Sequence, residues 1–150
     1  MISQREIGYL EGILDGEGCI TFGKQKGKNF KRGFTWRVRV RINMTHKKTI
    51  EKCAEIIRAI TGLNDGSIGA INPQPDIRHK NHKTTYAFSI RSKASRLLLP
   101  KLKLVTKEEQ RTLAIKALTL LKENTSWHGK NDVQLEEIYQ RMKFLNHKGK

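Results

Sequence analysis

Arg37, Arg39 and Arg41 stand two residues apart, with Asn43 next in the same phase and Trp36, Val38, Val40 and Ile42 filling the alternate positions. In a β-strand this period turns the three guanidiniums and the amide to one face and the apolar side chains to the other. Arginines held so close repel one another, so an unliganded sheet gains nothing from them. Their chemistry suits nucleic acid, because arginine reads guanine bidentately and asparagine reads adenine. A second constellation lies near the N-terminus, where Gly8, Gly12 and Gly16 fall four apart and Asp15, Glu17 and Gly18 follow. On a helix those glycines share one face and leave it bare of side chains. Each costs roughly 1 kcal/mol relative to alanine, and close approach of another helix backbone would compensate. The macrodipole disfavours a carboxylate at a helix C-terminus, so Glu17 contributes nothing to the helix it ends.

The charge balance agrees with a polyanionic partner. Lys and Arg number 30 against 14 Asp and Glu, a formal net charge of +16 over 150 residues. Between Gly23 and Lys48 there is no acid, and Lys24, Lys26, Lys28, Lys31, Arg32, Lys47 and Lys48 join the three strand arginines. A second acid-free stretch, Ile77 to Lys107, carries Arg78, Lys80, Lys83, Arg91, Lys93, Arg96, Lys101, Lys103 and Lys107. The acids fall mostly in segments that read as helices. Such segregation is the footprint of nucleic-acid binding rather than of a mixed, solubilising surface. Cys19 and Cys53 do not make a disulfide scaffold, and no second cysteine pair supplies zinc-ligand spacing. No apolar run approaches the roughly 20 residues needed to span a bilayer, and the N-terminus lacks an apolar secretory core. A membrane partner is excluded and an intracellular location expected.

The elements that must position these residues follow from local signals. Ser3-Gln4-Arg5-Glu6 is a capping box, opening a helix from about Gln4 to Leu14. Strands are expected at Cys19–Gln25 and Phe34–Met44, joined by the lysine-rich hairpin loop Lys26–Gly33, which the sequence presents as mobile without a partner. A helix from about Lys48 to Ile60 comes next. Weaker strands are expected near Ser67–Ile71 and Thr84–Arg91, with Asn72–Lys83 between them as a long polar loop. Ser92 is placed to cap a short helix that stops before Pro100. Thr106-Lys107-Glu108-Glu109 reads as a second capping box, opening a helix to about Lys122. A final amphipathic helix uses Val133, Leu135, Ile138, Tyr139, Met142 and Leu145. The expected fold is α+β: a four-stranded antiparallel sheet with helices on its apolar face and the other face open and basic. One domain, residues 1–150, is expected, with a core at about 4–122 and a helical extension at about 125–146.

Leu10-Glu11-Gly12-Ile13-Leu14-Asp15-Gly16-Glu17-Gly18 resembles the signature of the LAGLIDADG homing endonucleases. Glu11, where alanine or another small residue is usual, is the departure. Met44-Thr45-His46-Lys47-Lys48, Leu99-Pro100-Lys101-Leu102 and Lys107-Glu108-Glu109-Gln110 resemble the family too, as does the element order. The resemblance implies the αββαββα fold with a curved sheet, and a site-specific, metal-dependent double-strand DNA endonuclease, intron- or intein-encoded. A single motif in a chain of this length implies a homodimer, with the motif helices paired at its centre through Gly8, Gly12 and Asp15. By symmetry the target is then palindromic or nearly so.

The resemblance also implies roles for individual residues. Glu17, the last acid of the motif, becomes the essential catalytic group and a ligand of Mg2+ or another divalent cation such as Mn2+, with the Gly16 carbonyl beside it. Asp15 matches the acid that holds the helix end. His46 stands where the family often places a polar residue, commonly glutamine, that orients active-site water. The family's active-site basic residue corresponds either to Lys107, by its spacing to Gln110, or to Lys103, by its distance from Pro100. With Ile20 and Phe22 turned to the core, Thr21, Gly23 and Gln25 face the DNA groove together with Arg37, Arg39, Arg41 and Asn43. Lys24, Lys26, Lys28 and Lys31 are expected on phosphates. Ser67, Gly69, Thr85, Ala87, Ser89 and Arg91 extend the face. The alternative readings are an RNA maturase acting on its own intron RNA, a DNA-binding regulator of the same fold, and a small basic RNA-binding protein.

Overall fold

In the computed structural model, which describes residues 1–79, 81–123 and 131–147, the Ser3 capping box is complete. The Ser3 hydroxyl accepts from the Glu6 amide at 3.2 Å, and the Glu6 carboxylate accepts from the Ser3 amide at 3.1 Å. The helix it opens, α1 (Gln4–Glu17), runs a turn further than its apolar periodicity predicts. Leu10 and Leu14 drive one side of it into the core, and Gly8, Gly12 and Gly16 lie exposed on another.

The sheet is built from β1 (Gly18–Lys26), β2 (Phe34–Met44), β3 (Asn72–Gln74) and β4 (Thr85–Ile90), all antiparallel, in the order β1-β2-β4-β3. Ile20, Phe22, Trp36, Val38, Val40, Ile42, Phe88 and Ile90 form its buried face. Against it pack α1, α2 (Lys47–Thr61), α3 (Ser92–Leu98) with a following 3-10 turn, α4 (Glu108–Glu123) and α5 (Asp132–His147). The element order matches the one read from the sequence. Residues 125–130 of the expected extension, and Lys80, lie outside the described residues.

Three local expectations are corrected. The third strand is not Ser67–Ile71 but Asn72–Gln74, within the expected loop; of the former segment, Ile68 makes an isolated bridge to Ile90. Gly66 and Gly69 weaken the earlier segment, while an edge position tolerates Pro73, whose missing amide needs no ladder partner. Ser92 is the first residue of its helix and not its cap; its hydroxyl instead donates to the Val38 carbonyl at 3.3 Å and accepts from the Val38 amide at 3.1 Å. Thr106 and Glu109 do not close a capping box, because Thr106 turns to Asp15 and Glu109 to Arg141. Within the 26–33 connection, the Gly27 amide donates to the Gly33 carbonyl and the Gly33 amide to that of Phe30, and Arg32 pairs with Asp132.

The last helix has a structural task. The exposed edge of β1 would template pairing with another chain if left bare. Helix α5 covers it, with Leu135, Ile138 and Met142 buried and the Asn146 side chain donating to the Ile20 carbonyl at 3.0 Å. Trp36 donates its indole N–H to Asp132 at 3.1 Å. Val133, expected on the apolar stripe, is exposed instead. Among the described residues no helix is long and apolar enough to cross a membrane.

The turn from α1 into β1 depends on Gly18. A Cβ there would stand 2.6 Å from the Leu14 carbonyl oxygen and 2.8 Å from its Cα. Gly18→Ala is therefore expected to lower unfolding free energy by roughly 1–3 kcal/mol, as overpacked positions do, measured as a lower urea midpoint at unchanged slope.

Candidate nucleic-acid interface and acidic helix end

The C-terminal end of α1 is where the structure concentrates its polar chemistry. Its last turn leaves carbonyls without intrahelical partners. The Lys107 ammonium donates to the Leu14 carbonyl at 3.0 Å and to that of Asp15. Thr106 donates its hydroxyl to the Asp15 carbonyl, and the Gly18 amide reaches Ile13 and Leu14. None of these donors takes the Gly16 carbonyl.

The Asp15 carboxylate faces the opposite way and collects amides. It accepts from the backbone N–H groups of Val105 at 2.8 Å, Thr106 at 3.1 Å and Lys107 at 3.2 Å, and from the Thr106 hydroxyl at 3.0 Å. Burial would raise this carboxyl, but the amides of Val105 and Lys107, with Thr106, outweigh it and hold it below the usual aspartate value. The neighbouring amides are claimed as well: Lys103 N–H donates to Glu11 at 2.6 Å and Leu104 N–H to Glu108 at 3.1 Å. Five successive amides, 103 to 107, thus end on carboxylates of α1 and α4. Glu11, the departure from the family signature, serves as one of these acceptors.

Two candidate lysines are separated by this clamp. The Lys107 side chain lies across the end of α1, whereas Lys103 engages through its backbone and leaves its side chain exposed. Glu17 is exposed, and among the described residues its carboxylate makes no hydrogen bond or ion pair. An unclaimed carboxylate at the negative end of a helix dipole, beside a spare carbonyl, is an oxygen donor set suited to a hard divalent cation.

His46 caps α2. The Thr49 amide donates to its Nδ1 at 3.3 Å, which leaves the ring's proton on Nε2, pointing away from the cap. The pairing of Gly18 with Ile42 brings the end of α1 alongside the end of β2, with His46 two residues beyond that strand.

The open sheet face carries the remaining candidates. Thr21 pairs with Arg39, Gly23 with Arg37, Gln25 with Thr35, and Arg41 with both Cys19 and Ser89. Arg39, Arg41 and Asn43 are exposed, and Thr21, Gly23, Gln25, Arg37 and Arg39 line one shallow depression. Thr85 and Ser89 share this face, and Arg91 follows it at the start of α3. Ala87 shares the face but is buried.

Three candidates are otherwise engaged. Lys24, expected on phosphate, lies on the helix side of the sheet, over the Trp36 ring and 2.7 Å from Glu136. Alternation assigns it there, since it has the phase of Phe22. Ser67 bonds back to Asp65, and Gly69 lies so close to Ser89 that a Cβ would meet its carbonyl oxygen at 2.8 Å. Sequence reading missed Asn72 and Gln74, which the β3 register places opposite Ala87 and Thr85 on the open face. Gln74 accepts from Arg41 at 3.0 Å. A proline inside a polar stretch hid this strand.

The model of the LAGLIDADG endonuclease family matches residues 10–121. The homing endonuclease I-CvuI, in complex with the I-CreI target in the presence of 2 mM Mg, has a TM-score of 0.63 at 18% identity, covering 95% of this chain and 82% of that one. The archaeal intron-encoded homing endonuclease I-Vdi141I, complexed with DNA, has a TM-score of 0.67 at 14% identity, covering 94% and 84%. The homing endonuclease I-LtrWI, bound to target DNA, has a TM-score of 0.65 at 18% identity; the match covers 89% of this chain and 43% of that one. No curated protein sequence matches.

The clamp at Asp15 has a pH signature. A depressed carboxyl contributes stability that is present above the unfolded aspartate value, about 3.9, and lost as pH falls through the folded one. Asp15→Asn should lower stability at pH 7 by about 1.5–3 kcal/mol, the range for hydrogen bonds to a charged group. The gap from wild type should shrink in urea melts as the medium is taken below pH 4.

Proposed function

The chain belongs to the LAGLIDADG endonuclease family, and from that premise we propose that it works as a homodimer that recognises a palindromic or nearly palindromic site in double-stranded DNA and hydrolyses both strands with a divalent metal. The observation that carries this reading is the bare face of α1 ending in an unclaimed Glu17. A Cβ built on Gly8, Gly12 or Gly16 meets nothing within 4 Å, so these glycines are not demanded by packing inside the subunit. Three glycines in one helix still cost roughly 1 kcal/mol each. Contact with the same face of a second copy offsets that cost and, by two-fold symmetry, brings two Glu17 carboxylates to one axis.

Glu17 and the Gly16 carbonyl would hold the metal. When bound, it supplies an activated water and stabilises charge on the attacking and leaving oxygens. The chain's own groups do the rest. Lys107, anchored on the Leu14 and Asp15 carbonyls, sets a positive charge at the helix end that carries Glu17 and is the better candidate for the active-site lysine. His46, with Nδ1 committed to its cap, presents an Nε2–H to hold a water or a phosphate oxygen. Asp15 holds the helix end and lies outside the reaction, its carboxylate being consumed by amides.

Binding rests on the open sheet. Arg37, Arg39, Arg41 and Asn43 read base edges in the major groove with Thr21 and Gln25, and Gln74 sets the orientation of Arg41. Lys26, Lys28 and Lys31, at the hairpin end, supply phosphate contacts.

Two variants test the reading. Glu17→Gln should reduce cleavage of a selected palindromic target in magnesium by roughly 1,000-fold or more, the loss of several kcal/mol of charge stabilisation, while specific binding in gel shift is retained. Wild-type cutting by this variant would overturn the assignment. Gly12→Leu adds a side chain in space that the subunit leaves open, so the monomer should fold while sedimentation shows the dimer lost and cleavage gone with it.

A further inference from the structure

The connection between β3 and β4 contains Asp76, His79 and His82, three residues apart in turn. In the fold they converge. The Nδ1 atoms of His79 and His82 lie 3.2 and 2.9 Å from the same Asp76 oxygen, Oδ2. The other oxygen, Oδ1, is held by the Arg78 amide at 3.0 Å. The His82 amide bonds to the His79 carbonyl at 3.0 Å and closes the turn that stacks the two rings at a centroid distance of 4.5 Å. One ligand atom from each of the three residues lies within 4.8 Å of the other two. Among the described residues this is the group of histidine and carboxylate side chains that meets that condition.

We propose that Asp76, His79 and His82 form a binding site for one first-row transition cation of the zinc type, bound through one carboxylate oxygen and two imidazole nitrogens with water completing the shell. Ligands about 2.0–2.1 Å from a tetrahedral ion stand roughly 3.3 Å apart, close to the two separations already present between Asp76 and the imidazoles. On binding, the two rings turn out of their stack so that both Nδ1 lone pairs converge on the ion; each imidazole coordinates as the neutral ring with its one proton on Nε2, and any second ring proton leaves to solvent. The Arg78 amide supplies the outer hydrogen bond that orients the ligating carboxylate. Imidazole donors select zinc, nickel, copper or cobalt over magnesium, which prefers oxygen and retains its water. Both histidines are well exposed, with side-chain accessibilities of 60% and 61%, so the ion exchanges freely with solvent. Its effect is to hold Asp76, His79 and His82 together after β3 and to add positive charge at that end of the sheet. The site is independent of the nuclease reading and would exist whatever the chain cleaves.

The test uses the full, untagged chain stripped with chelator, titrated with Co2+ followed by visible absorption and with Zn2+ by calorimetry, with and without millimolar Mg2+. Wild type should bind one equivalent per chain that is absent from the His79→Gln/His82→Gln variant. Loss of a mere outer-shell partner weakens metal affinity roughly 10–100-fold, so removing two ligands should weaken it by at least about 100-fold. Magnesium should not compete, and far-ultraviolet circular dichroism should show the variant folded, since both side chains are exposed. Equal Co2+ and Zn2+ binding by wild type and a folded variant, no binding by wild type, or displacement by Mg2+ would each overturn the proposal. A single conservative variant, Asp76→Asn, should bind more weakly than wild type and retain the cobalt spectrum of a two-histidine site.

Discussion

The carboxylate of Asp15 organises the C-terminal end of α1 and the segment packed on it. Buried in part and surrounded by three successive amides, it ties the segment after Pro100 to the last turn of α1. Glu11 and Glu108 extend the same device to two further amides. The result is that a chain segment with no regular structure is held at five points, and Lys107 is delivered to the helix terminus. There its ammonium adds a charged donor to the Leu14 and Asp15 carbonyls, which also receive the Gly18 amide and the Thr106 hydroxyl. Two acids two residues apart therefore have opposite fates. Asp15 is consumed by the fold, and Glu17 is left for something outside it.

Charge is sorted by the sheet. Lys24, in the phase of the core face, is met by Glu136 of the C-terminal helix, and Arg32 of the hairpin is met by Asp132. Basic residues in the opposite phase are left to solvent, apart from the hydrogen bond between Arg41 and Gln74. A net excess of basic residues is thus concentrated on one side, where a polyanion can lie along several strands at once and neutralise repulsion that the free protein sustains. The C-terminal helix contributes twice, by screening the helix-side cations and by closing the β1 edge against unwanted strand pairing.

Much of this was legible in the sequence because it is local. The capping box at Ser3, the alternation of β2 and the glycine face of α1 depend on neighbours within a few residues, and all appear where the sequence places them. Edge pairing was not legible. The strand at Asn72–Gln74 owes its existence to β4, which lies more than ten residues away, and its short polar sequence carries no periodicity to betray it. The same holds for the cluster of Asp76, His79 and His82, whose spacing is unremarkable until a turn stacks the two rings.

The amino-acid sequence by itself determined the class of fold, the basic strand face, the acid-bearing helix and the family, since each is written in periodicity or in a contiguous motif. The tertiary structure alone decided which of two lysines reaches the helix end, which acid is spent on amides, and which strand lysine is drawn into an ion pair with Glu136. Those outcomes turn on contacts between segments about ninety or more residues apart, as from Asp15 to Lys107 or Lys24 to Glu136. Chain closure over such distances leaves no local trace, because loop entropy grows only slowly with length and many pairings cost nearly the same until side chains pack.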